Sequence, residues 1–263
     1  MGLNLLDTRI ILVRPRNPLN IAAAARAMSN FGLADLVVVA AYEPVWQDAR
    51  AAPGAKDLLR HARVVPRLLD AIEDRTLVVG TSSLARRRPL QAVVSLDRLQ
   101  SLSRRRKAPE RLAILFGSEK TGLSNQDLRH CNFVLRIPTE ERAPAMNLGQ
   151  AVAVCCYELL RAVQPRRGRP QQYSEPREPG GPAEPTAESV AGAPATVGEV
   201  DRLVAAVEAL LGENSEGVPS PARARSAQLR EMLWRCPLRS RDVSLLLGVL
   251  RDIRNRERGR GNR

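Results

Sequence analysis

Asn20 and Arg26 are the first residues in the chain with clear chemical potential, six positions apart in RPRNPLNIAAAARAMSNFG. A guanidinium group stays protonated at physiological pH, and its planar N–H donors fit the oxygens of a phosphate group in pairs. Arg26 follows four alanines, so its side chain rises from a flat surface that a bulky partner can approach. Alone, such an arginine is typical of a solvated helix surface, and its chemistry depends on what the fold brings beside it.

Two glycine- or proline-bearing loops later in the chain carry a carboxylate and an amide. FGSEKTGL, residues 116–123, places Glu119 between two glycines, which permit turns that bring the main chain close to a ligand. IPTEERAPAMNL, residues 137–148, contains Asn147 next to its end. Glycines flanking an acid occur in many loops, so the first loop becomes informative only in combination with the second.

A third polar loop, TSSLARRRP, follows the apolar run at residues 76–80 and carries hydroxyls and then arginines. The hydroxyls are Thr81, Ser82 and Ser83, and the arginines are Arg86, Arg87 and Arg88. One interpretation is a polar turn with a solvated basic run. The other is a binding loop whose arginines face a polyanion, which the position after a strand favours.

Five short apolar runs predict the strands that must position these loops. They span residues 9–13, 36–40, 76–80, 112–116 and 133–137. Unbroken apolar runs are typical of strands buried on both faces, and their alternation with helical stretches predicts an α/β fold with a parallel sheet and helices on both faces. Loops at the carboxyl ends of such strands are where open sheets bind ligands.

Capping residues predict a helix over residues 18–31. Asn17 precedes Pro18, whose missing N–H costs nothing at a helix start, and Gly32 marks the end. The predicted buried stripe at helical spacing is Ile21, Ala24, Ala25 and Met28. Further helices are predicted at residues 55–62, 66–72, 96–107 and 151–160.

Composition favours a polyanionic partner, because 41 Lys and Arg face 28 Asp and Glu for a net charge of +13. Aromatic residues make up only 3% of the chain, which argues against base stacking on a sheet of exposed rings. The four cysteines have neither C-x-x-C spacing nor histidine partners at metal-site distances, so we expect reduced packing residues and no metal. No apolar run approaches membrane-spanning length and no signal peptide is recognisable, which predicts a cytoplasmic protein without membrane contact.

The final hundred residues predict a tether and a small helical domain. Residues 164–198 are rich in proline, glycine and glutamate without apolar periodicity, which is typical of disorder. Residues 199–263 contain three apolar stripes at helical spacing and many arginines, which predicts a basic helical RNA-binding domain with little core of its own. The predicted organisation is therefore a core at residues 1–163, the linker and this tail.

Three motifs in the core resemble the SpoU branch of the SPOUT RNA 2′-O-methyltransferases. They are N-P-x-N-I-x-A-A-A-R after the first strand, F-G-x-E-x-x-G-L at residues 116–123, and I-P followed by M-N-L at residues 137–148. The resemblance implies a C-terminal trefoil knot whose loops hold S-adenosylmethionine, and a homodimer in which the knot helices pack together. The cofactor-binding residues it implies are Thr81, Ser82, Ser83, Leu115, Gly117, Ile137, Met146, Asn147 and Leu148.

The resemblance also implies catalytic roles for Arg26, Asn20, Glu119 and Asn147, with RNA contacts from Arg26 and the triple arginine. Arg26 would grip a phosphate beside the target ribose, the two asparagines would position loops and ribose, and Glu119 would orient Arg26 or an amide of the second motif. One departure is Ala145, which stands where the family commonly has serine. Any step that depends on that hydroxyl is absent from this chain.

The basic tail makes the chain similar to SpoU-type enzymes that methylate ribose 32 of the tRNA anticodon loop. The expected activity is therefore S-adenosylmethionine-dependent 2′-O-methylation of tRNA. Two alternatives stay open: a ribosomal RNA substrate with the same chemistry, and a non-catalytic RNA-binding factor of the same fold. A small-molecule binding protein explains neither the charge nor the basic tail.

Overall fold

The computed structural model describes residues 7–51, 56–84, 89–99, 111–163, 193–210, 228–229, 232–234 and 236–260. The strands in these ranges are β1 Thr8–Val13, β2 Asp35–Val39, β3 Arg63–Val65, β4 Leu77–Thr81, β5 Val93–Ser95, β6 Leu112–Phe116 and β7 Phe133–Arg136. They form one sheet in the order β3-β2-β1-β6-β4-β7-β5, and every pairing is parallel. The predicted parallel sheet is confirmed.

The sheet contains two strands that the sequence did not predict, β3 and β5. Each has only three residues and lies at an edge of the sheet, with side chains that are half-buried or exposed. Such strands lack the unbroken apolar run that betrays a central strand. The five predicted strands are all present, with ends that differ from the prediction by one residue at most.

Helices cover both faces of the sheet, as the sequence predicts. Their bounds are α1 Pro18–Asn30, α2 Glu43–Ala51, α3 Lys56–His61, α4 Leu68–Ile72, α5 Asn125–Leu128, α6 Leu148–Val163, α7 Val197–Leu210 and α8 Ser240–Arg260. The helix predicted at residues 96–107 begins instead as a 3-10 turn, Leu96–Arg98, and residues 100–110 lie outside the described part. The sequence pattern did not predict α2, which is only nine residues long.

One face of the sheet packs against α1 and α6, flanked by α2 and α3. The predicted stripe of α1 is fully buried: Ile21, Ala24, Ala25 and Met28 are each 0% exposed. Cys155 and Cys156 of α6 are buried free thiols in the same core, and burial raises the pKa of both. They are packing residues, as the sequence predicts.

The opposite face packs against α4 and the C-terminal segment. Apolar residues of that segment join one core with residues of β1, β2, β4, β6 and β7. They are Ala195, Val197, Val200, Leu203, Val204, Leu233, Trp234 and Val243. The side chain of Asn132 links the two parts, accepting from the Val78 N–H at 2.8 Å and donating to the Trp234 carbonyl at 2.9 Å.

The C-terminal segment packs on the sheet more closely than the sequence predicts. The end of the predicted linker is ordered, because α7 already begins at Val197 and the N–H groups of Val197 and Gly198 each donate at 2.8 Å to carbonyls of Arg75 and Glu73. The helices share the core of the sheet where the sequence predicted a satellite bundle. Residues 164–192 lie outside the described residues. In the described part, no helix is long and apolar enough to cross a membrane.

Candidate active site

A cavity of about 630 Å³ opens at the carboxyl ends of β4, β6 and β7, which are neighbours in the sheet. The predicted cofactor residues that line it are Thr81, Ser82, Ser83, Gly117, Ile137, Met146 and Leu148. Leu115 does not line it: its side chain is buried in β6 and its carbonyl accepts the Thr81 hydroxyl at 2.8 Å. Asn147 also lies outside the lining.

The loop after β6 is tightly closed, and only glycine fits its first position. A Cβ on Gly117 would lie 2.0 Å from the carbonyl carbon of Gly122, so any side chain there would displace the main chain. Gly122 has φ +67° and donates its N–H to the Ser118 carbonyl at 2.8 Å. The cavity wall at this point is therefore bare backbone, which a ligand can approach closely.

Glu119 joins this loop to the start of α1. Its carboxylate accepts from the main-chain N–H of Arg16 at 2.9 Å, from that of Asn17 at 3.1 Å, and from the side-chain amide of Asn20 at 2.9 Å. Burial raises the pKa of Glu119, but the hydrogen bonds from Asn20 and from the main chain outweigh it and leave the pKa below its usual value. The carboxylate is therefore an ionised acceptor at neutral pH.

Asn20 extends the connection to the start of α6. Its side-chain oxygen accepts from the amide of Asn147 at 2.8 Å, across 127 residues of sequence. The oxygen of Asn147 in turn caps α6 by accepting from the Gly149 N–H at 2.9 Å. Glu119, Asn20 and Asn147 thus form one hydrogen-bonded chain that joins the starts of α1 and α6 to the loop after β6.

The packing of α1 on α6 is close beside this chain. A Cβ on Gly149 would lie 2.6 Å from the Cβ of Ala23, shorter than real carbon contacts. Ala23 lies one turn beyond Asn20 on α1, so the small residue on each helix lets the two amides meet. The asparagine pair depends on this helix crossing.

Arg26 lies apart from these three residues. It is exposed on α1, and among the described residues it has no hydrogen-bond or ion-pair partner and no place in the cavity lining. An α-helix rises 1.5 Å per residue, which puts Arg26 about 9 Å along the axis from Asn20. Within one subunit the Glu119 carboxylate holds the first turn of the helix, and Arg26 is almost two turns further on. The predicted role of Glu119, to orient Arg26 or an amide of the second motif, stays a prediction.

Sequence reasoning missed Arg14 and Asp127, which form a second link between the same loops. The Arg14 guanidinium pairs with the Asp127 carboxylate, which is buried and also accepts from the Ser124 N–H at 2.6 Å and hydroxyl at 2.7 Å. Arg14 has φ +51°, a strained conformation for a residue with a side chain. The Ser-x-x-Asp spacing of a capping box was the available signal. Arg86, Arg87 and Arg88 lie outside the described residues.

The cavity has the properties of a nucleoside-type cofactor site. Its volume lies within the range of about 300–1,000 Å³ that is typical of ligand pockets. Aliphatic side chains from Leu84, Leu123, Ile137 and Met146 line it together with hydroxyls and bare backbone. Apolar walls suit a flat aromatic base, and main-chain groups with hydroxyls suit its polar edge and a ribose. S-adenosylmethionine, the cofactor of the family that the motifs resemble, fits this set of groups.

The family model for the SpoU rRNA methylase family matches residues 7–157, which hold the sheet, the cavity and the hydrogen-bonded chain. The chain therefore belongs to the SpoU methylase family. The match covers more than half of the chain and confirms the family that the three motifs predicted.

Relatives of similar length narrow the comparison. The chain is 31% identical, over 95% of both sequences, to the tRNA (cytidine/uridine/adenosine-2′-O-)-methyltransferase TrmJ of Pseudomonas aeruginosa strain UCBPP-PA14. It is 28% identical to the tRNA (cytidine/uridine-2′-O-)-methyltransferase TrmJ of Klebsiella pneumoniae, over 97% of this chain and 99% of that one. The similarity therefore extends through the C-terminal segment.

Solved structures agree with the fold. The crystal structure of TrmJ from Z. mobilis ZM4 superposes with a TM-score of 0.71 at 27% identity, covering 94% of this chain and 99% of that one. A probable methylase family protein from Haemophilus influenzae Rd KW20 gives 0.54 at 26% identity, covering 96% and 98%. The architecture is that of SPOUT methyltransferases, and the trefoil knot stays a prediction consistent with these neighbours.

Proposed function

We propose that this protein methylates the 2′-hydroxyl of a ribose in tRNA, with S-adenosylmethionine as the methyl donor. The observation that carries the proposal is the cavity between the loops after β4, β6 and β7, joined through Glu119, Asn20 and Asn147 to the helix that bears Arg26. The tRNA 2′-O-methyltransferases to which the chain is similar over nearly its whole length support the substrate.

In this proposal the cavity holds the cofactor through main chain and hydroxyls. Thr81, Ser82, Ser83, Gly117, Ile137, Met146 and Leu148 form its walls. Leu115 and Asn147 support these walls without lining the cavity. The Leu115 carbonyl accepts the Thr81 hydroxyl, and the Asn147 side chain caps α6. When bound, S-adenosylmethionine supplies an electrophilic methyl group on a sulfonium sulfur.

Arg26 binds the RNA phosphate next to the target ribose. The transfer would form a bond from the ribose oxygen to the methyl carbon as the C–S bond breaks, which would leave a neutral thioether and pass the hydroxyl proton to water. A nearby guanidinium would lower the energy of the negative charge that develops on the oxygen. An arginine without a carboxylate partner keeps its donors available for this contact. Arg26 has no such partner among the described residues.

The protein acts as a homodimer in which α1 and α6 face the same helices of the partner. Leu19 on α1 is 70% exposed and Tyr157 on α6 is 54% exposed, so this pair of helices presents apolar surface outward. A dimer would cover that surface and would bring Arg26 of one subunit towards the cavity of the other. The proposal needs Arg26 to approach the cavity of the partner subunit because Arg26 does not line the cavity of its own subunit.

The target we propose is the ribose at position 32 of the tRNA anticodon loop, and we propose that the protein acts in the cytoplasm. Ribosomal RNA is the second candidate substrate. The family is described as the SpoU rRNA methylase family, and this description is the reason to keep ribosomal RNA as a candidate. The third possibility is an RNA-binding factor that keeps the cavity but does not transfer a methyl group.

Methyl-labelled cofactor separates these possibilities. The protein is incubated with labelled S-adenosylmethionine and either bulk tRNA or ribosomal RNA, and ribose methylation is mapped in the labelled RNA. We expect label in tRNA at residue 32. Label confined to ribosomal RNA would replace the substrate, and cofactor binding without transfer to either RNA would support the non-catalytic reading.

A further inference from the structure

Three basic residues on α2 and α3 surround a concave surface away from the cavity described above. Among the described residues, the lining of this depression of about 330 Å³ consists of Gln47, Arg50, Lys56 and Arg60. None of these four is acidic, so the depression concentrates positive charge. We infer that it is a binding site for the phosphodiester backbone of the RNA substrate, a proposal that rests on the proposed function.

Nearby carboxylates leave most of this charge available. Asp57 approaches Arg60 at 3.9 Å, but the two side chains are 95% and 67% exposed, and such an ion pair is screened by solvent. Glu43 accepts the amide of its neighbour Gln47 at 3.1 Å. In the described part of the chain, neither Arg50 nor Lys56 has a hydrogen-bond or ion-pair partner for its charged group.

The depression is built on fixed elements. Trp46 and Ala49 of α2 and Leu59 of α3 are buried in the core that also contains α1. These neighbours in the sequence hold the backbone of both helices, so only the ends of the basic side chains remain to be ordered on binding. A preorganised set of charges binds phosphate with a smaller entropic cost than charges on a free loop.

Its position relative to Arg26 supports RNA as the ligand. Helix α1 packs between α6 on one side and α2 with α3 on the other, and Arg26 is exposed on that helix. Packed helices lie about 8–10 Å apart, so the axes of the two helices that line the depression run about that far from the axis of the helix that bears Arg26. An RNA that contacts Arg26 on α1 therefore meets the neighbouring helices α2 and α3 next, and we assign to the depression nucleotides that flank the target.

The test is the salt dependence of tRNA binding by the full-length chain. The triple variant Arg50→Gln, Lys56→Gln and Arg60→Gln is compared with wild type by titrating labelled tRNA at several KCl concentrations. Each lost phosphate contact should reduce the slope of log K against log salt by about 0.7–0.9, so loss of all three reduces it by about 2.1–2.7. Affinity should fall at least about tenfold at 0.1 M salt.

A control variant removes the same number of charges elsewhere. Arg67→Gln, Arg111→Gln and Arg161→Gln change three other exposed arginines, two of which pair with carboxylates three residues away. This control variant should keep most of the wild-type slope of log K against log salt. S-adenosylmethionine affinity should be unchanged in both variants, because none of the six residues lines the cofactor cavity. Their melting temperatures should stay close to that of wild type, because all six residues are exposed and exposed ion pairs contribute little to stability.

The outcomes separate this inference from the proposed function. A triple variant with the slope and affinity of the control overturns the depression as a phosphate site, while methyl transfer to tRNA by wild type would still stand. Absence of transfer to tRNA by wild type overturns the proposed function instead. A slope reduced in the triple variant alone supports the site.

Discussion

Glu119 accepts hydrogen bonds from two main-chain N–H groups and from the amide of Asn20, so one carboxylate holds the loop after β6 on α1. In Glu119→Gln an amide NH₂ would face donors that now meet an oxygen. We expect a loss of about 1 kcal/mol in the free energy of unfolding at pH 7, measured by urea titration. Glu158→Gln is the matched control, since Glu158 pairs with an exposed arginine on its own helix and should contribute less.

The lowered pKa of Glu119 fixes how this difference changes with pH. A carboxyl whose pKa is lower in the folded chain stabilises it above the unfolded value of about 4.3 and loses that contribution as the pH falls through the folded value. The unfolding free energies of wild type and Glu119→Gln should therefore differ by a constant amount from pH 7 to 5 and converge below about pH 4. A difference that widens in acid would contradict the hydrogen-bonding assignment.

Arg26 is exposed and outside the cavity lining, so its removal should spare cofactor binding. We expect Arg26→Ala to lower kcat for tRNA methylation by about 100-fold or more, the effect of losing one charge-stabilising donor. Calorimetric affinity for S-adenosylmethionine should stay at the wild-type value, as it should for the control Arg67→Ala. Loss of cofactor binding with normal residual turnover would assign Arg26 a different role.

At the scale of elements, the crossing of α1 and α6 sets the distance between Asn20 and Asn147. In Gly149→Ala the new methyl group would lie 2.6 Å from the Cβ of Ala23, so the helices must separate. Overpacking of this kind costs about 1–3 kcal/mol, and the lengthened asparagine contact should also lower kcat. Thermal unfolding and a turnover assay measure the two effects.

Gly248 of α8 provides the matched substitution. A Cβ at this position meets nothing within 4 Å, so Gly248→Ala should raise the free energy of unfolding by about 0.5–1 kcal/mol through helix propensity alone. Turnover should not change. Equal behaviour of the two alanine variants would mean that the helix crossing adapts to a larger residue.

The elements differ in how far sequence predicts them. The central strands β1, β2, β4, β6 and β7 were predictable because burial on both faces demands unbroken apolar runs. The edge strands have no such demand. Glu119 and Asn147 were recognisable as candidate site residues, but the contact between Asn20 and Asn147 spans 127 residues and depends on a helix crossing that no local pattern encodes. Arg14 and Asp127 meet for the same reason.

At the scale of the whole molecule, the C-terminal segment is a structural layer as well as a basic appendage. Its buried residues include Leu203, Val204 and Trp234, each at most 3% exposed, and burial of one such side chain is worth about 1.5–3 kcal/mol. A chain ending at residue 192 should therefore unfold at a lower temperature and bind a hydrophobic dye in its native state. Unchanged melting would show that the second face is stable without this layer.

RNA binding by the tail is better tested without deletion. Arg251 and Arg254 are exposed on α8, so Arg251→Gln with Arg254→Gln removes charge while leaving the shared core intact. We expect weaker tRNA binding, a smaller salt slope and an unchanged melting temperature. A filter-binding series in KCl beside a melting curve gives all three values.

The docked C-terminal segment is made after the sheet that it covers. The ribosome makes residues 193–260 after all the strands that the structure describes. At about 5–20 residues per second, residues 164–260 take about 5–20 s to make. During that interval the nascent protein carries an uncovered apolar sheet face, a surface that favours aggregation until Trp234 reaches Asn132.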